Sequence, residues 1–225
     1  MSFRTLAVVC TVLLGIAFAA TSQAQATAPS APDGLAAWLS KNFDEVYVRP
    51  NTDFAGYRKV IIDQPQVAFQ KGWLKSLNRT RDVSRWLSQD DERRITDDMA
   101  AGMGRVFTDV FRTQGYEVAA APGPGVLRLT VNVNDVFLNA PDVPAAGPTR
   151  LFSTDTADAT LVLEARDAVS GALVARFVDR RTAREIKPVY NYTTSVSNQF
   201  WMDALARQWA TNSVKELQAG VTSRG

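Results

Sequence analysis

Between Val126 and Leu138 the chain spells out a strand. Leu127, Leu129, Val131 and Val133 alternate with Arg128, Thr130, Asn132 and Asn134. A period of two sends the first set to one face and the second to the other. A segment of this kind is stable only in a sheet that buries one face and leaves the other polar, which points to antiparallel or mixed architecture rather than a parallel sheet covered on both sides. The alternation fails at Val136-Phe137-Leu138, which predicts a bulge near Asp135.

The remaining elements fit around that strand. Residues 157–166 and 172–182 read as two more strands, joined by a hairpin loop at 167–171 that carries Gly171 near its end. Residues 57–69 read as a strand centred on Val60-Ile61-Ile62, with Pro65, which has no N–H to give, interrupting it or marking an edge. Tyr116-Glu117-Val118 is a short strand, followed by a turn at 122–125. A helix begins at the N-cap Ser88, carries Asp90, Asp91 and Glu92 in its first turn, and stops at Gly115. Its inner face is Ile95, Met99, Met103, Val106 and Val110, with Phe107 and Phe111 beside them. Gly102 and Gly104 inside it each cost up to about 1 kcal/mol against Ala, which predicts close approach of the helix to a sheet. They are not a nucleotide loop, because such a loop precedes its helix. A second helix covers about 198–217, with Trp201, Leu205 and Trp209 as its core stripe and Gly220 beyond its end. Residues 35–43, with Trp38 and Leu39, read as a helical turn or two, and 139–152, with three prolines, as the longest loop. The order β-α-β-β-β-β-α predicts an α+β fold: a mostly antiparallel or mixed sheet of about five strands with two main helices packed on one face.

The N-terminus reads as an address. Arg4 precedes a mostly apolar run over 6–20, and Ala24-Gln25-Ala26 offers small residues for a signal peptidase. The expected organisation is a signal peptide at 1–26, a linker and short segment at 27–46, one α+β domain at 47–220 and a tail at 221–225. The expected location is the periplasm, with no transmembrane helix after cleavage. Cys10, inside the apolar run and preceded by Val9, is poorly placed for lipidation and leaves with the signal. Since it is the chain's one cysteine, the mature protein has no disulfide and must be stabilised by its own core. A chain of about 200 residues can do that, burying roughly 70% of its unfolded surface.

The chain contains no histidine, which excludes Ser-His-Asp triads, Cys-His dyads and imidazole metal ligands. Lys and Arg number 25 against 23 Asp and Glu, without the concentrated basic excess of a nucleic-acid binder. No catalytic residue, metal ligand or cofactor site is assigned. Asp90, Asp91, Glu92, Asp97 and Asp98 read as a solvated helix start, and Asp155 with Asp158 as loop polarity lacking the Gly and Glu of a calcium loop.

The segment 70–87 (QKGWLKSLNRTRDVSRWL) is the most informative. It sets Lys71, Lys75, Arg79, Arg81 and Arg85 against one acid, Asp82, and interleaves them with Trp73, Leu74, Leu77, Trp86 and Leu87. On a loop, that mixture suits an anionic membrane surface, a glycan or an acidic envelope protein. The alternative is that both tryptophans plug the core and the cations are merely solvated.

Five stretches, in order, carry a family resemblance: YVRPNTDFAGYRKVIIDQPQVAF (47–69), the W…LNRTR segment (73–81), PGPGVLRLTVNVNDVFLNAPD (122–142), LVLEARDAVSGALVARFVDRR (161–181) and SNQF…ARQWA (197–210). Together they resemble a bacterial family of exported proteins, many of them lipoproteins, known as domain of unknown function 3313. The resemblance implies a single envelope-located domain with no assigned activity, ligand or cofactor. Polar positions matching the family pattern are Asn78, Arg79, Asn139, Asp142, Asp167, Arg176 and Asp179. Asp167 is expected to cap its hairpin, Asn139 and Asp142 to fix their loop, and Arg176 and Asp179 to pair within the sheet. The chain departs from the lipoprotein members in having no cysteine at the cleavage site.

The expectation is therefore an exported binding or assembly factor without enzymatic activity. It would dock through Trp73, Lys75, Asn78, Arg79, Arg81, Arg85, Trp86, Asn139 and Asp142, or by adding a strand at a sheet edge. The alternative is a carboxylate-based hydrolase of envelope glycan using Asp135, Asp142 and Glu164. The oligomeric state is left open.

Overall fold

The structure, a computed structural model, describes residues 34–138, 157–182 and 195–222, with backbone alone at 195–200 and 221–222. It is an α+β arrangement: one mixed sheet, with helices packed against it. Five strands were expected; among the described residues the sheet has eight.

Two of the extra strands come from the N-terminal segment. β1 (Ala36–Trp38) and β2 (Glu45–Val48) pair antiparallel, the first ahead of the boundary read at residue 47 and the second across it. The helical turn expected over 35–43 is thus replaced by an edge strand. Three residues are too few to display a helical or strand period, and their state is set by the neighbour available for pairing. The run 57–69 divides at the proline, as expected, into β3 (Lys59–Ile62) and β4 (Gln66–Phe69). The segment 70–87, taken as a loop, contains α1 (Trp73–Arg79) and a 3₁₀ turn, Val83–Arg85.

The other elements follow the sequence pattern closely: α2 (Gln89–Thr113), β5 (Glu117–Val118), β6 (Val126–Leu138), β7 (Ala157–Asp167), β8 (Leu173–Thr182) and α3 (Ser195–Thr222). The strand order is β1-β2-β8-β7-β6-β3-β5, and β4 also pairs with β6. From β1 to β6 the pairs are antiparallel, whereas β3 and β4 run parallel to β6. Parallel neighbours require a crossover of a dozen or more residues, and the path through α2 supplies it.

Leu127, Leu129, Val131 and Val133 are fully buried; Ala165, Leu163 and Leu161 opposite the last three, and Ala175 and Phe177 one strand further on, extend the same face. The pairing register shifts between Asn134 and Phe137, with Asp135 in the left-handed region at φ 53°. That inserted residue returns Val136 and Leu138 to the core face, which is why the alternation breaks in sequence while burial continues.

The helices cover this face with α2 residues Met103, Phe107, Val110 and Phe111 and α3 residues Leu205, Trp209, Val214 and Leu217. Ser88 accepts from the Asp91 N–H and the Asp91 carboxylate accepts from the Ser88 N–H, completing a capping box. The two α2 glycines serve different neighbours. A Cβ on Gly104 would lie 3.2 Å from Pro65 Cδ, on the sheet side as expected, whereas one on Gly102 would face Asp203 of α3 at 3.5 Å. Gly220 does not follow its helix; it lies inside α3, where a Cβ would come within 2.7 Å of Phe54 Cδ2.

Candidate functional site

The segment 70–87 has an inner and an outer half. Helix α1 starts at Gly72, whose left-handed φ of 80° turns the chain out of β4. Trp73 and Leu77, one helical turn apart, face inward and are buried with Leu87. Trp73 stacks on Phe69 with ring centroids 3.7 Å apart and donates its indole N–H to the Leu138 carbonyl at 2.9 Å. It therefore belongs to the core and cannot meet an outside partner, a correction to its expected role in docking.

Asn78 is also occupied internally. Its amide accepts from Leu87 N–H and donates to Leu87 C=O, both at 2.9 Å, and so closes the loop between α1 and α2. Asn139 and Asp142 lie outside the described residues.

The outer half carries the remaining candidates. Lys75 and Arg79 share the α1 face opposite Trp73 and Leu77, and both are exposed. Arg79 also stands in the last turn, at the negative end of the helix. Arg85 is exposed in the 3₁₀ turn, and Arg81 is half-buried. Val83 is 73% and Trp86 55% exposed, and the Trp86 indole N–H donates to the Arg81 carbonyl at 3.2 Å. Val83 opens the 3₁₀ turn and Trp86 follows directly after it, so the two exposed apolar side chains stand three residues apart.

Several cations outside this segment are paired with an acid. Lys59, Arg93, Arg94, Arg112, Arg128, Arg166, Arg176, Arg180 and Arg181 each stand in an ion pair. Among the described residues Lys71, Lys75, Arg79 and Arg85 have none.

A second polar cluster, not anticipated, is internal. Asp179 on β8 is fully buried, accepting from Trp209 Nε1 at 2.7 Å and from Arg181 Nε and Nη2 at 2.7 and 2.8 Å. Burial raises its pKa, against the opposing pull of the Trp209 and Arg181 hydrogen bonds. Arg181 and Asn212 both donate to the Asn42 carbonyl, while Ser40 and Asn42 donate to the Glu216 carboxylate. The cluster thereby ties the β1–β2 connection to β8 and α3. The expected Arg176–Asp179 pair does not form, because residues three apart on a strand point to opposite faces. Arg176 instead faces Glu164 across the strands at 3.9 Å. Odd spacing along 173–182 held that signal in the sequence.

Asp167 caps its hairpin as expected, accepting from Val169 N–H, Ser170 N–H and the Ser170 hydroxyl. These bonds, the Ser170 backbone bond foremost, lower its pKa. It also accepts from the Tyr57 hydroxyl at 3.1 Å; burial first, and that bond next, push Tyr57 up to about 12.

The residues considered for hydrolysis are engaged elsewhere or isolated. Glu164 is held by Arg166 at 2.8 Å and by Arg176; Asp135 is exposed in the bulge; Asp142 lies outside the described residues. A cleft of about 160 Å³ is lined by Phe54, Tyr57, Arg58, Gln114, Tyr116 and Gln218, without a carboxylate. Among the described residues no three Asp, Glu or Cys side chains cluster as metal ligands, and no helix is long and apolar enough to cross a membrane.

The described residues form an α+β domain: a mixed sheet covered by helices, with a buried carboxylate tying β8 to α3 and an exposed basic-aromatic segment. The chain belongs to the family described as Protein of unknown function (DUF3313), whose model matches residues 31–213. No curated protein matches it. Among solved structures, it is similar to a PelC dodecamer from Paraburkholderia phytofirmans, with 12% identity over 74% of this chain and 93% of that one, at a TM-score of 0.37. It is likewise similar to a putative neuraminyllactose-binding hemagglutinin homolog from Helicobacter pylori, with 13% identity over 77% and 89% of the two chains, also at 0.37. Neither likeness carries a function over to this chain.

Proposed function

We propose that this protein is an exported, periplasmic binding or assembly factor without enzymatic activity, and that it docks on another envelope component through the outer half of segment 70–87. The observation that carries the reading is the pairing of two exposed apolar side chains, Val83 and Trp86, with exposed cations that have no acidic partner among the described residues. Exposed cations gathered beside exposed apolar side chains, without an acid of their own, are available to an anionic partner. The charged N-terminus, apolar run and Ala24-Gln25-Ala26 support export. Of the residues first considered, Lys75, Arg79, Arg81, Arg85 and Trp86 remain in the docking surface, with Val83 added.

The test is in vivo crosslinking of the tagged full chain in a Gram-negative host, read by mass spectrometry, beside a variant carrying Arg79→Glu, Arg81→Glu and Arg85→Glu. The expected result is a mature N-terminus at Thr27 and envelope crosslinks that disappear in the folded variant. Crosslinks unchanged by charge reversal would remove this surface from the function.

A further inference from the structure

Resting on that docking reading, we infer that the occupant of the surface is an anionic phospholipid bilayer. Val83 and Trp86 enter its headgroup layer, and Lys71, Lys75, Arg79 and Arg85 lie against its phosphates.

The tryptophan geometry is the first reason. An indole entering a lipid interface has to satisfy its N–H, and Trp86 has already done so on the Arg81 carbonyl at 3.2 Å. The ring is thus free to present carbon to the acyl boundary without leaving a donor unmet. Val83, three residues earlier, is also exposed and adds apolar surface to the contact. The two side chains are set on a rigid base, because Leu87 behind them is buried with Trp73 and Leu77 and its backbone is clamped by Asn78.

The cations give the second reason. Lys75 and Arg79 stand one turn apart on the outer face of α1, Arg85 lies between the two apolar side chains in sequence, and Lys71 precedes the helix. Lys71 and Lys75 are point charges on flexible stems and Arg79 and Arg85 can fork onto phosphate oxygens, so the four together suit an anionic phosphate layer. Against a folded protein partner stand Lys71 and Lys75, since lysine is depleted at such interfaces, whereas Arg79, Arg85 and Trp86 suit either kind of partner. A neutral glycan is a weaker fit, because it gives the cations nothing to neutralise.

The experiment is cosedimentation of the purified full chain with vesicles of phosphatidylglycerol and phosphatidylethanolamine, and with vesicles of phosphatidylcholine alone. Binding is expected to the first and not the second, to weaken as salt rises, and to shift the tryptophan emission to the blue. Combining Lys75→Glu, Arg79→Glu and Arg85→Glu is expected to lower partitioning roughly a hundredfold, at about fivefold per cation. Trp86→Ala, read with circular dichroism as a check on folding, should abolish the blue shift and keep a weaker, salt-sensitive binding. Equal binding to both vesicles, or binding unchanged in the charge variant, overturns the inference. If the wild-type chain ignores both vesicles while its crosslinks in cells still depend on Arg79, Arg81 and Arg85, the docking reading stands and the lipid assignment falls. If those crosslinks are also indifferent to the arginines, both fall.

Discussion

Two charged regions of this molecule, the Asp179 corner and the 70–87 segment, use ionic groups in opposite ways. Asp179 is buried completely, and its partners on Trp209 and Arg181 are all internal. The segment leaves Lys75, Arg79 and Arg85 outward with no ion pair among the described residues. A buried charge costs several kcal/mol unless every partner is present, so the corner is intolerant of change and belongs to the architecture. Exposed cations contribute little to folding, so their arrangement is free to serve something outside the protein. The same contrast divides the segment's tryptophans, Trp73 being 2% and Trp86 55% exposed.

The largest effect is expected at the corner. Asp179→Ala leaves the Arg181 guanidinium and the Trp209 N–H without their acceptor and should destabilise by about 3 to 5 kcal/mol. Urea unfolding followed by fluorescence would measure it, and a loss under about 1 kcal/mol would show that the corner is not a structural lock. Of similar size, Trp73→Ala should cost about 3 to 5 kcal/mol, against less than about 0.5 for Trp86→Ala. Equal losses in thermal melts would break the division of the segment into inner and outer halves. Gly220→Ala, which pushes a methyl into the Phe54 ring, should cost about 1 to 3 kcal/mol, and the double change with Phe54→Leu should recover part of it.

Smaller effects test the helix start that follows the segment. Ser88→Ala should cost about 1 kcal/mol by removing the cap. The Ser88 bonds, its side chain first, hold Asp91 down from 3.8 to about 2. A lowered carboxylate adds stability that is complete above its unfolded value near 3.8 and is lost as pH falls through about 2. Carboxyl NMR titration of Asp91 should therefore give a midpoint near 2 in the wild type, moving back towards 3.8 in Ser88→Ala. An unmoved midpoint would mean that the capping box is not what holds it.

Much of the fold was legible because it is written in local periodicity. The alternation of Leu127 to Val133, the bulge at Asp135, the Ser88 cap, the Gly115 stop and the Asp167 hairpin all depend on near neighbours in sequence, and the structure reproduces each. The basic-aromatic composition of 70–87 was equally plain. What was hidden depends on distant partners. β1 and β2 are strands because β8 offers an edge; Trp73 is inside because Phe69 and Leu138 meet it; Gly220 belongs within α3 because Phe54 crosses there. Asp179 was noticed, but its partner was misassigned by proximity in sequence instead of by face.

The sequence by itself determined the α+β class, the family, the long strand and the limits of the helix that crosses it, since period, caps and turn residues act over a few positions and need no third party. Only the tertiary structure decided how many strands join the sheet, which tryptophan faces out and which charges are consumed. Those are outcomes of pairing between segments far apart in the chain, where an edge, a ring or a carboxylate takes whatever the fold brings to it.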